Sequence, residues 1–419
     1  MFTKLFIKKD VKNMYILLLI FMLVSIACFI PKYKLYTYIN FAIIVLAFTL
    51  FFFWPDNTYD LYRHFLTLKR YSELSFFQII NIEPRNLGKE LADVAVSGYI
   101  KNYPIFSTLS WIISKIGLYQ LLPVSVVWMT YYLAVKRLKF VALKNQDTSK
   151  IIISIWGLIL LSYNFVFISS NLRQPLASSI FAYAVYEEFV NKKNKMECYI
   201  IYILPCFIHS IGYLFLGMRL IFQFYNQYTK WIIYLGLLFS NKILFFVCSY
   251  VEKTNDGPLA IAADKFLRYS LYRNNNGVSH ISYKLLALYS ILFIIILLFQ
   301  SISKKSSQYE KYSKFIICNF LFTFAMTNQS EIFNRFEFLI LPLILPIIHE
   351  LISEWTGHKL FSIKTFSKKA RFFQIVLVGF SLIILLNFGI ASYKNYAKTT
   401  SHFSIENFMQ NGDLNMPWR

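Results

Sequence analysis

The chain alternates long uncharged stretches with short segments rich in lysine and arginine. Five stretches approach or reach the length of about 20 mostly apolar residues that a membrane-crossing helix needs. They are residues 14–30, 35–54, 151–172, 285–303 and 372–393. Shorter or interrupted stretches are residues 117–135, 176–186, 198–218, 231–251, 315–330 and 338–348. Runs of this length do not fit the alternation of a barrel strand. They predict an all-α, polytopic membrane protein with about 10 to 12 crossing helices, some of them short or broken.

The composition agrees with this class. Hydrophobic residues make up 57% of the 419 residues and charged residues only 15%, whereas a soluble domain carries roughly 25% charged residues. These values exclude a compact cytosolic enzyme, a disordered chain and a disulfide-rich secreted module. We therefore expect residues 1–419 to form a single integral membrane domain in contact with membrane lipid.

The positive charge indicates the topology. Lys and Arg number 43 against 21 Asp and Glu, a net charge of +22, and this excess is expected on loops that face anionic lipid headgroups or anionic substrates, not nucleic acid. Basic clusters beside membrane spans stay in the cytoplasm. We assign there the clusters within residues 136–144, 192–195, 304–314 and 364–371.

Two polar segments, residues 55–103 and 251–282, are too long to be simple connections. We expect residues 55–117, with a half-helix at 104–117, and residues 251–282 to form two sizeable extracytoplasmic segments. The four lysines before residue 14 argue instead for a cytoplasmic N-terminus, which would bring residues 55–103 into the cytoplasm. The family resemblance given below favours the outer placement.

The segment after the second predicted span carries candidate chemistry. If it is helical, Asp60, Arg63 and His64 share one face, because they lie at positions i, i+3 and i+4. A carboxylate, a guanidinium and an imidazole at a membrane surface could hold a diphosphate and move a proton. The alternative is an ordinary Asp–Arg pair on the surface of a helix.

Two arginines are expected near helix starts. Pro175 predicts a helix start, since proline is favoured at the first helical position, and Arg173 lies just ahead of it between Asn171 and Gln174. A helix N-terminus with an arginine beside it can bind an anion. The alternative is an arginine that reaches up to lipid headgroups.

Asn334 and Arg335 repeat this arrangement ahead of the apolar run 338–348. Arg335 could simply pair with Glu331 or Glu337. On the predicted topology Arg173 and Arg335 lie on the same side of the membrane, and the hypothesis is that both bind one lipid diphosphate.

His209 interrupts an apolar region, residues 198–225, that must cross twice as two short helices hinged near residues 209–212. It is either a core histidine or, since ionisable groups at membrane depth are costly, a functional one. Arg268 and Tyr269 in the second long loop could contact substrate, or could belong to a solvated loop.

Several motifs are absent from the sequence. It contains no Walker A, G-x-G-x-x-G, H-E-x-x-H or C-x-x-C pattern. We therefore infer no nucleotide, no metal and no other cofactor.

These residues, taken in order, resemble the EpsG-like and Wzy-type polymerases of bacterial surface polysaccharides. Asp60-Leu-Tyr-Arg63-His64-Phe is similar to a D-x-x-R-Y-Y-like signature, with histidine where tyrosine is usual. The matching elements that follow are Tyr103-Pro104-Ile-Phe106, Asn171-Leu-Arg173-Gln174-Pro175-Leu-Ala177 (an R-Q-x-L-A pattern), His209-Ser210 and Asn334-Arg335-Phe336. The resemblance covers most of the chain from about residue 55 to residue 345.

The resemblance implies a multi-pass glycosyltransferase of the bacterial cytoplasmic membrane with its active site on the outer face. It would polymerise undecaprenyl-diphosphate-linked oligosaccharide repeat units into O antigen, capsule or exopolysaccharide, without metal or nucleotide. Arg173 and Arg335 would stabilise the diphosphate leaving group, and Asp60 and His209 are the candidates for the base. Substrate contacts are expected from Arg63, His64, Asn171, Gln174, Arg268, Tyr269 and Asn334. A chain-length regulator protein and a flippase are further candidate partners.

Three alternatives remain open from the sequence. A flippase or other transporter of lipid-linked oligosaccharide would have evenly spaced full-length helices and short loops. A ligase that moves the finished glycan to an acceptor lipid would use the same arginine–diphosphate chemistry. A membrane acyltransferase would carry a His- or Arg-rich motif near its first spans, which the His64 region matches only loosely.

Overall fold

The computed structural model describes residues 47, 60–81, 103–137, 168–169, 171–254, 263–264, 266–267, 283–302, 307–327 and 329–355. Every regular element in these ranges is a helix, and no strand occurs among them, so the predicted all-α class is confirmed for this part of the chain. The α-helices are α1 (Asp60–Glu73), α2 (Phe76–Asn81), α3 (Pro104–Ile116), α4 (Leu121–Lys136), α5 (Arg173–Phe189), α6 (Lys195–Ile203), α7 (Ile211–Gln223), α8 (Lys230–Leu238), α9 (Ser240–Thr254), α10 (Tyr283–Ile302), α11 (Ser307–Ala325) and α12 (Ser330–Trp355). A short 3₁₀ helix, Leu204–Phe207, lies between α6 and α7.

Helix α5 is the centre of the fold. It packs against α4, α6, α7, α11 and α12, and it is buried on nearly all sides, as expected for a core helix. The ring of Phe181, midway along α5, lies 5.2 Å from Tyr202, 5.3 Å from Phe215 and 6.2 Å from Phe315, measured between centroids. Because α5 is held on so many sides, the residues at its first turn have a fixed position.

A second, smaller apolar cluster joins α1 and α3 to the start of α5. Leu61, Phe65 and Leu68 of α1 are completely buried in it, together with Leu172 just before α5. The indole Nε1 of Trp111 in α3 donates to the main-chain oxygen of Leu74, 3.2 Å away. The α1–α3 pair is therefore docked against the end of the bundle where α5 begins.

Buried charge holds α5, α6 and α7 together. The guanidinium of Arg219 in α7 forms a forked ion pair with the carboxylate of Glu188 in α5. Tyr202 of α6 donates its hydroxyl to the same carboxylate at 2.8 Å. The rings of Phe189 and Tyr199 each lie 5.2 Å from the guanidinium carbon. Since a buried charge is stable only when paired and hydrogen-bonded, this group fixes the relative positions of the three helices.

Helix α12 continues through two internal prolines, Pro342 and Pro346. Proline has no N–H, so Pro346 cannot donate to the carbonyl of Pro342 four residues earlier. Nη1 of Arg137 donates to that carbonyl instead, at 2.5 Å. The hydroxyl of Tyr312 donates to the next carbonyl, that of Leu343, at 2.7 Å. Arg137 is 0% exposed, so its side chain is not part of a solvent-facing basic surface. Its guanidinium instead provides the hydrogen bond that the carbonyl of Pro342 lacks within α12.

Among the described helices, none is by itself long and apolar enough to cross a membrane. Helices α8 and α9 meet that requirement together, with a bend of 71° between them. The break between them lies at Phe239, and Lys242, the one charge inside this apolar run, lies in α9. The predicted spans at residues 14–30 and 372–393 lie outside the described residues, as do most of 35–54 and 151–172.

Candidate functional site

Arg173 is the first residue of α5. The expectation that the helix begins at Pro175 is therefore wrong by two residues. The reason is that the first four N–H groups of any helix have no partner within it, so proline is tolerated throughout the first turn. The guanidinium carbon of Arg173 lies 5.0 Å from the centroid of the Tyr103 ring and 6.0 Å from that of Phe106. Both aromatic residues are buried at the start of α3.

Arg335 lies within α12, in its second turn. The expectation that it precedes a helix starting near residue 338 is wrong, because no proline or glycine interrupts residues 330–341 and the N–H of Phe333 already bonds to the oxygen of Gln329 at 2.9 Å. Nη1 of Arg335 lies 3.2 Å from Nε2 of His209. Gln174, next to Arg173, makes two longer contacts with Arg335: its Oε1 lies 3.5 Å from Nη1, and its Nε2 lies 3.4 Å from the main-chain oxygen.

His209 lies on a tight turn between the 3₁₀ helix and α7, so the predicted break in this apolar region is confirmed. The main-chain N–H of His209 donates to the main-chain oxygen of Pro205 at 2.9 Å. The ring nitrogen Nδ1 of His209 accepts a hydrogen bond from the main-chain N–H of Ile211 at 3.1 Å. Gly212 makes the turn possible: a Cβ at this position would collide with the main chain of Pro205 and Cys206. The imidazole is thus held by a main chain that is itself closely packed.

Tyr103 connects these groups. Its ring is stacked on the His209 imidazole, with centroids 6.3 Å apart and an interplanar angle of 20°. The guanidinium of Arg173 lies over the same tyrosine ring. We call Tyr103, Arg173, Gln174, His209 and Arg335 the arginine–histidine cluster. Four of its members were candidates from the sequence, on segments far apart in the chain. Tyr103 was not a candidate, although an aromatic residue directly before Pro104 could have been recognised as the residue that precedes a helix start.

Of the candidate residues on α1, His64 is buried and Arg63 is exposed. His64 is buried and lies 5.2 Å from Phe106, between ring centroids, at the edge of the cluster. Arg63 is exposed whereas His64 is buried, so the expectation that these two residues share one face of α1 is wrong. The inward face is set by Leu61 and Phe65, whose apolar side chains take the positions that pack on α3.

The remaining candidates are only partly described. Asn171 is partly buried just ahead of α5. Asp60 begins α1 and Asn334 precedes Arg335 in α12, but their side chains lie outside the described residues, as do Arg268 and Tyr269 entirely. Among the described side chains, no group of three or more His, Cys, Asp or Glu is arranged to hold a metal ion.

The cluster brings two guanidinium groups and an imidazole together at one end of the helical core. Guanidinium groups bind carboxylates and phosphates through forked, charge-assisted hydrogen bonds. The chain as a whole matches no protein-family model, no curated protein and no solved structure.

Proposed function

We propose that this protein is a bacterial membrane glycosyltransferase that polymerises undecaprenyl-diphosphate-linked oligosaccharide repeat units into a surface polysaccharide. The arginine–histidine cluster would bind the diphosphate of the lipid carrier. One observation carries the proposal: Arg173 of α5 and Arg335 of α12 approach the same pair of stacked rings, Tyr103 and His209. The similarity of these segments to the EpsG-like and Wzy-type polymerases supplies the substrate class.

A membrane location is supported by the apolar surface of the described helices. Large apolar side chains on α8 and α9 face outward, among them Trp231 at 64% exposed and Phe246 at 76% exposed. Soluble proteins rarely expose large contiguous apolar patches. Together with the 15% content of charged residues, this surface favours lipid as the surrounding solvent.

The position of the cluster along α5 supports the outer face. Helix α5 has 17 residues, so its two ends are about 25 Å apart at a rise of about 1.5 Å per residue. Arg173 is its first residue, and a lysine-rich loop with Lys192 and Lys193, followed by Lys195 at the start of α6, comes directly after its end. If that loop faces the cytoplasm, as positively charged loops do, the cluster lies near the opposite surface.

The reaction needs a stabilised leaving group and a base. The bond between the anomeric carbon and the diphosphate oxygen breaks, and the acceptor hydroxyl forms the new glycosidic bond while its proton passes to a base. Undecaprenyl diphosphate leaves with an additional negative charge on the departing oxygen. Arg173 and Arg335 would donate to that charge as it develops, and one such preorganised donor typically contributes about 3 kcal/mol.

The proposal is tested by the length of the surface glycan in cells that carry only a variant gene. We expect Arg173→Ala and Arg335→Ala to abolish long chains and leave single repeat units, with the protein still in the membrane. The matched control is Arg70→Ala, which removes an exposed arginine paired with Glu73 at 3.0 Å. Long chains of wild-type length in both cluster variants would contradict the proposal, and accumulation of the repeat unit on the inner leaflet would indicate a flippase instead.

A further inference from the structure

Helix α9 leaves α8 at a sharp angle. Phe239 separates the two helices, and the direction of the chain changes there by 71°. The 15 residues of α9 have a length of about 22 Å, at a rise of about 1.5 Å per residue. Because of the bend, α9 advances only about 7 Å in the direction of α8 and about 21 Å across it. Helix α9 therefore runs mostly sideways relative to α8.

The start of α9 lies at the end of the bundle that carries the arginine–histidine cluster. Asn241, the second residue of α9, accepts a hydrogen bond from the side chain of Gln329. Gln329 directly precedes α12, and Arg335 of the cluster lies in the second turn of that helix. Ser240, the first residue of α9, is buried at the same point. The bend is thus held at the cluster end of the helices, and α9 extends sideways from there.

The side chains of α9 fall into three sectors around its axis, since successive residues are rotated by about 100°. The first sector packs on the protein and contains buried or partly buried side chains: Ser240, Leu244, Cys248 and Val251. The second contains exposed apolar and aromatic side chains: Ile243, Phe246, Val247 and Tyr250. The third is mainly polar and contains Lys242, Ser249, Glu252 and Lys253, with Phe245 as its one apolar side chain.

Three sectors of this kind suit a helix that lies along the surface of a membrane beside other helices. One side then meets protein, one side meets the hydrocarbon chains, and one side meets water and headgroups. A helix that crosses the membrane has no side that meets water along its whole length. The order of the sectors also favours lipid over a protein partner, because the apolar and the basic side chains occupy neighbouring sectors, as the hydrocarbon and the headgroups do in a bilayer.

Lys242 distinguishes the two orientations of α9. It is exposed, and it lies midway along the stretch formed by α8 and α9. If the bent pair crossed the membrane, the ammonium of Lys242 would lie near the centre of the bilayer, where a charge is costly. On a helix that lies along the surface, Lys242 and Lys253 point in directions within about 20° of each other. Both ammonium groups can then reach the phosphates of the headgroups.

We propose that α9 is a membrane-surface helix that binds phospholipid headgroups, on the same side of the membrane as the arginine–histidine cluster. Lys242 and Lys253 bind the lipid phosphates, and Ile243 and Val247 enter the edge of the hydrocarbon. Residues 231–251, expected from the sequence to be an interrupted span, then end in a surface helix that leads into the long polar segment 251–282. This inference rests on the membrane location in the proposed function but not on the polymerase reaction.

The unsubstituted protein provides the first test, because the two lysines are native. The purified full-length chain is placed in sealed vesicles of phosphatidylethanolamine and phosphatidylglycerol and treated with a membrane-impermeant amine reagent. We expect Lys242 and Lys253 to be modified at rates within a few-fold of each other. Modification of Lys242 about 10-fold or more slowly than Lys253, as for an ammonium held in hydrocarbon, would overturn the inference. Protection of both lysines would overturn it as well, because a second copy of the chain would then cover this surface.

The depth of single spin labels provides the second test. Lys242→Cys, Val247→Cys and Lys253→Cys are made in protein whose five native cysteines are replaced by alanine. On a surface helix the label at position 247 is deeper than both others, and the labels at 242 and 253 differ in depth by about 5 Å. A depth that changes steadily from 242 to 253, over about 16 Å, would overturn the inference.

The two proposals can fail separately. Wild-type glycan in the Arg173→Ala and Arg335→Ala cells would contradict the polymerase proposal without any effect on the depth of α9. Conversely, a crossing orientation of α9 would overturn the present inference and leave the diphosphate site in place.

Discussion

The main chain of Gly212 lies directly against the main chain of Pro205, with no room for a side chain between them. This contact brings the start of α7 back onto the 3₁₀ helix and creates the turn that carries His209. The 3₁₀ helix in turn contacts both α3 and α5. Through these contacts, the absence of a Cβ at one glycine sets the position of the imidazole relative to Tyr103.

Gly212→Ala should therefore disturb the site, whereas Gly217→Ala should not. Both glycines are in α7, but a Cβ at Gly217 would meet nothing within 4 Å. Overpacking at Gly212 should cost about 1–3 kcal/mol of unfolding free energy, while alanine at Gly217 should be neutral or stabilising by up to about 1 kcal/mol. Thermal unfolding of the two variants in the same detergent provides the comparison. Equal midpoints would contradict the close approach at Gly212.

Arg137 compensates for the missing N–H of Pro346. Arg137→Met should leave the carbonyl of Pro342 without this donor and should lower the unfolding free energy by about 1–3 kcal/mol. In a Pro346→Ala background, residue 346 regains an N–H that can bond to Pro342, so the same substitution should cost less. A double-mutant cycle measured by unfolding gives this coupling. A cost that is identical in both backgrounds would show that Arg137 has no such compensating function.

The buried pair of Glu188 and Arg219 should be sensitive to removal of one charge. Glu188→Gln keeps an oxygen that Tyr202 can donate to, but it leaves Arg219 charged in an apolar region, and we expect a loss of about 3–5 kcal/mol. The exposed pair of Arg70 and Glu73 is the control: Glu73→Gln should change stability by at most about 1 kcal/mol. Comparable effects at the two pairs, measured by unfolding, would mean that Glu188 is not needed to hold α5 and α7 together.

Part of the site follows from the sequence because the relevant signals are strong. The break at His209 could be predicted, since the assignment of the basic clusters to the cytoplasm requires the apolar region around it to cross twice, as two short helices. The convergence of Arg173 and Arg335 also followed, because the charge pattern of the loops assigns both residues to the same end of the helices.

Other features of the structure could not be predicted from the sequence, and the reason can be given for each. The start of α5 at Arg173 was missed because proline fits at any position in the first helical turn. The outward direction of Arg63 was missed because the spacing that groups it with Asp60 says nothing about which face of α1 packs on α3. The burial of Arg137 depends on prolines about 200 residues later, and a contact of that range leaves no local pattern in the sequence.

The central claim is that Arg173 and Arg335 bind the diphosphate of a polyprenyl carrier. The most direct measurement is the affinity of the purified, detergent-solubilised protein for undecaprenyl diphosphate. Wild-type protein and Arg70→Ala should bind alike. Arg335→Ala and Arg173→Ala should each bind about 10- to 100-fold more weakly, since a hydrogen bond to a charged group contributes about 1.5–3 kcal/mol. If folded Arg173→Ala and Arg335→Ala proteins bind the lipid as tightly as wild type, the cluster is not a diphosphate site.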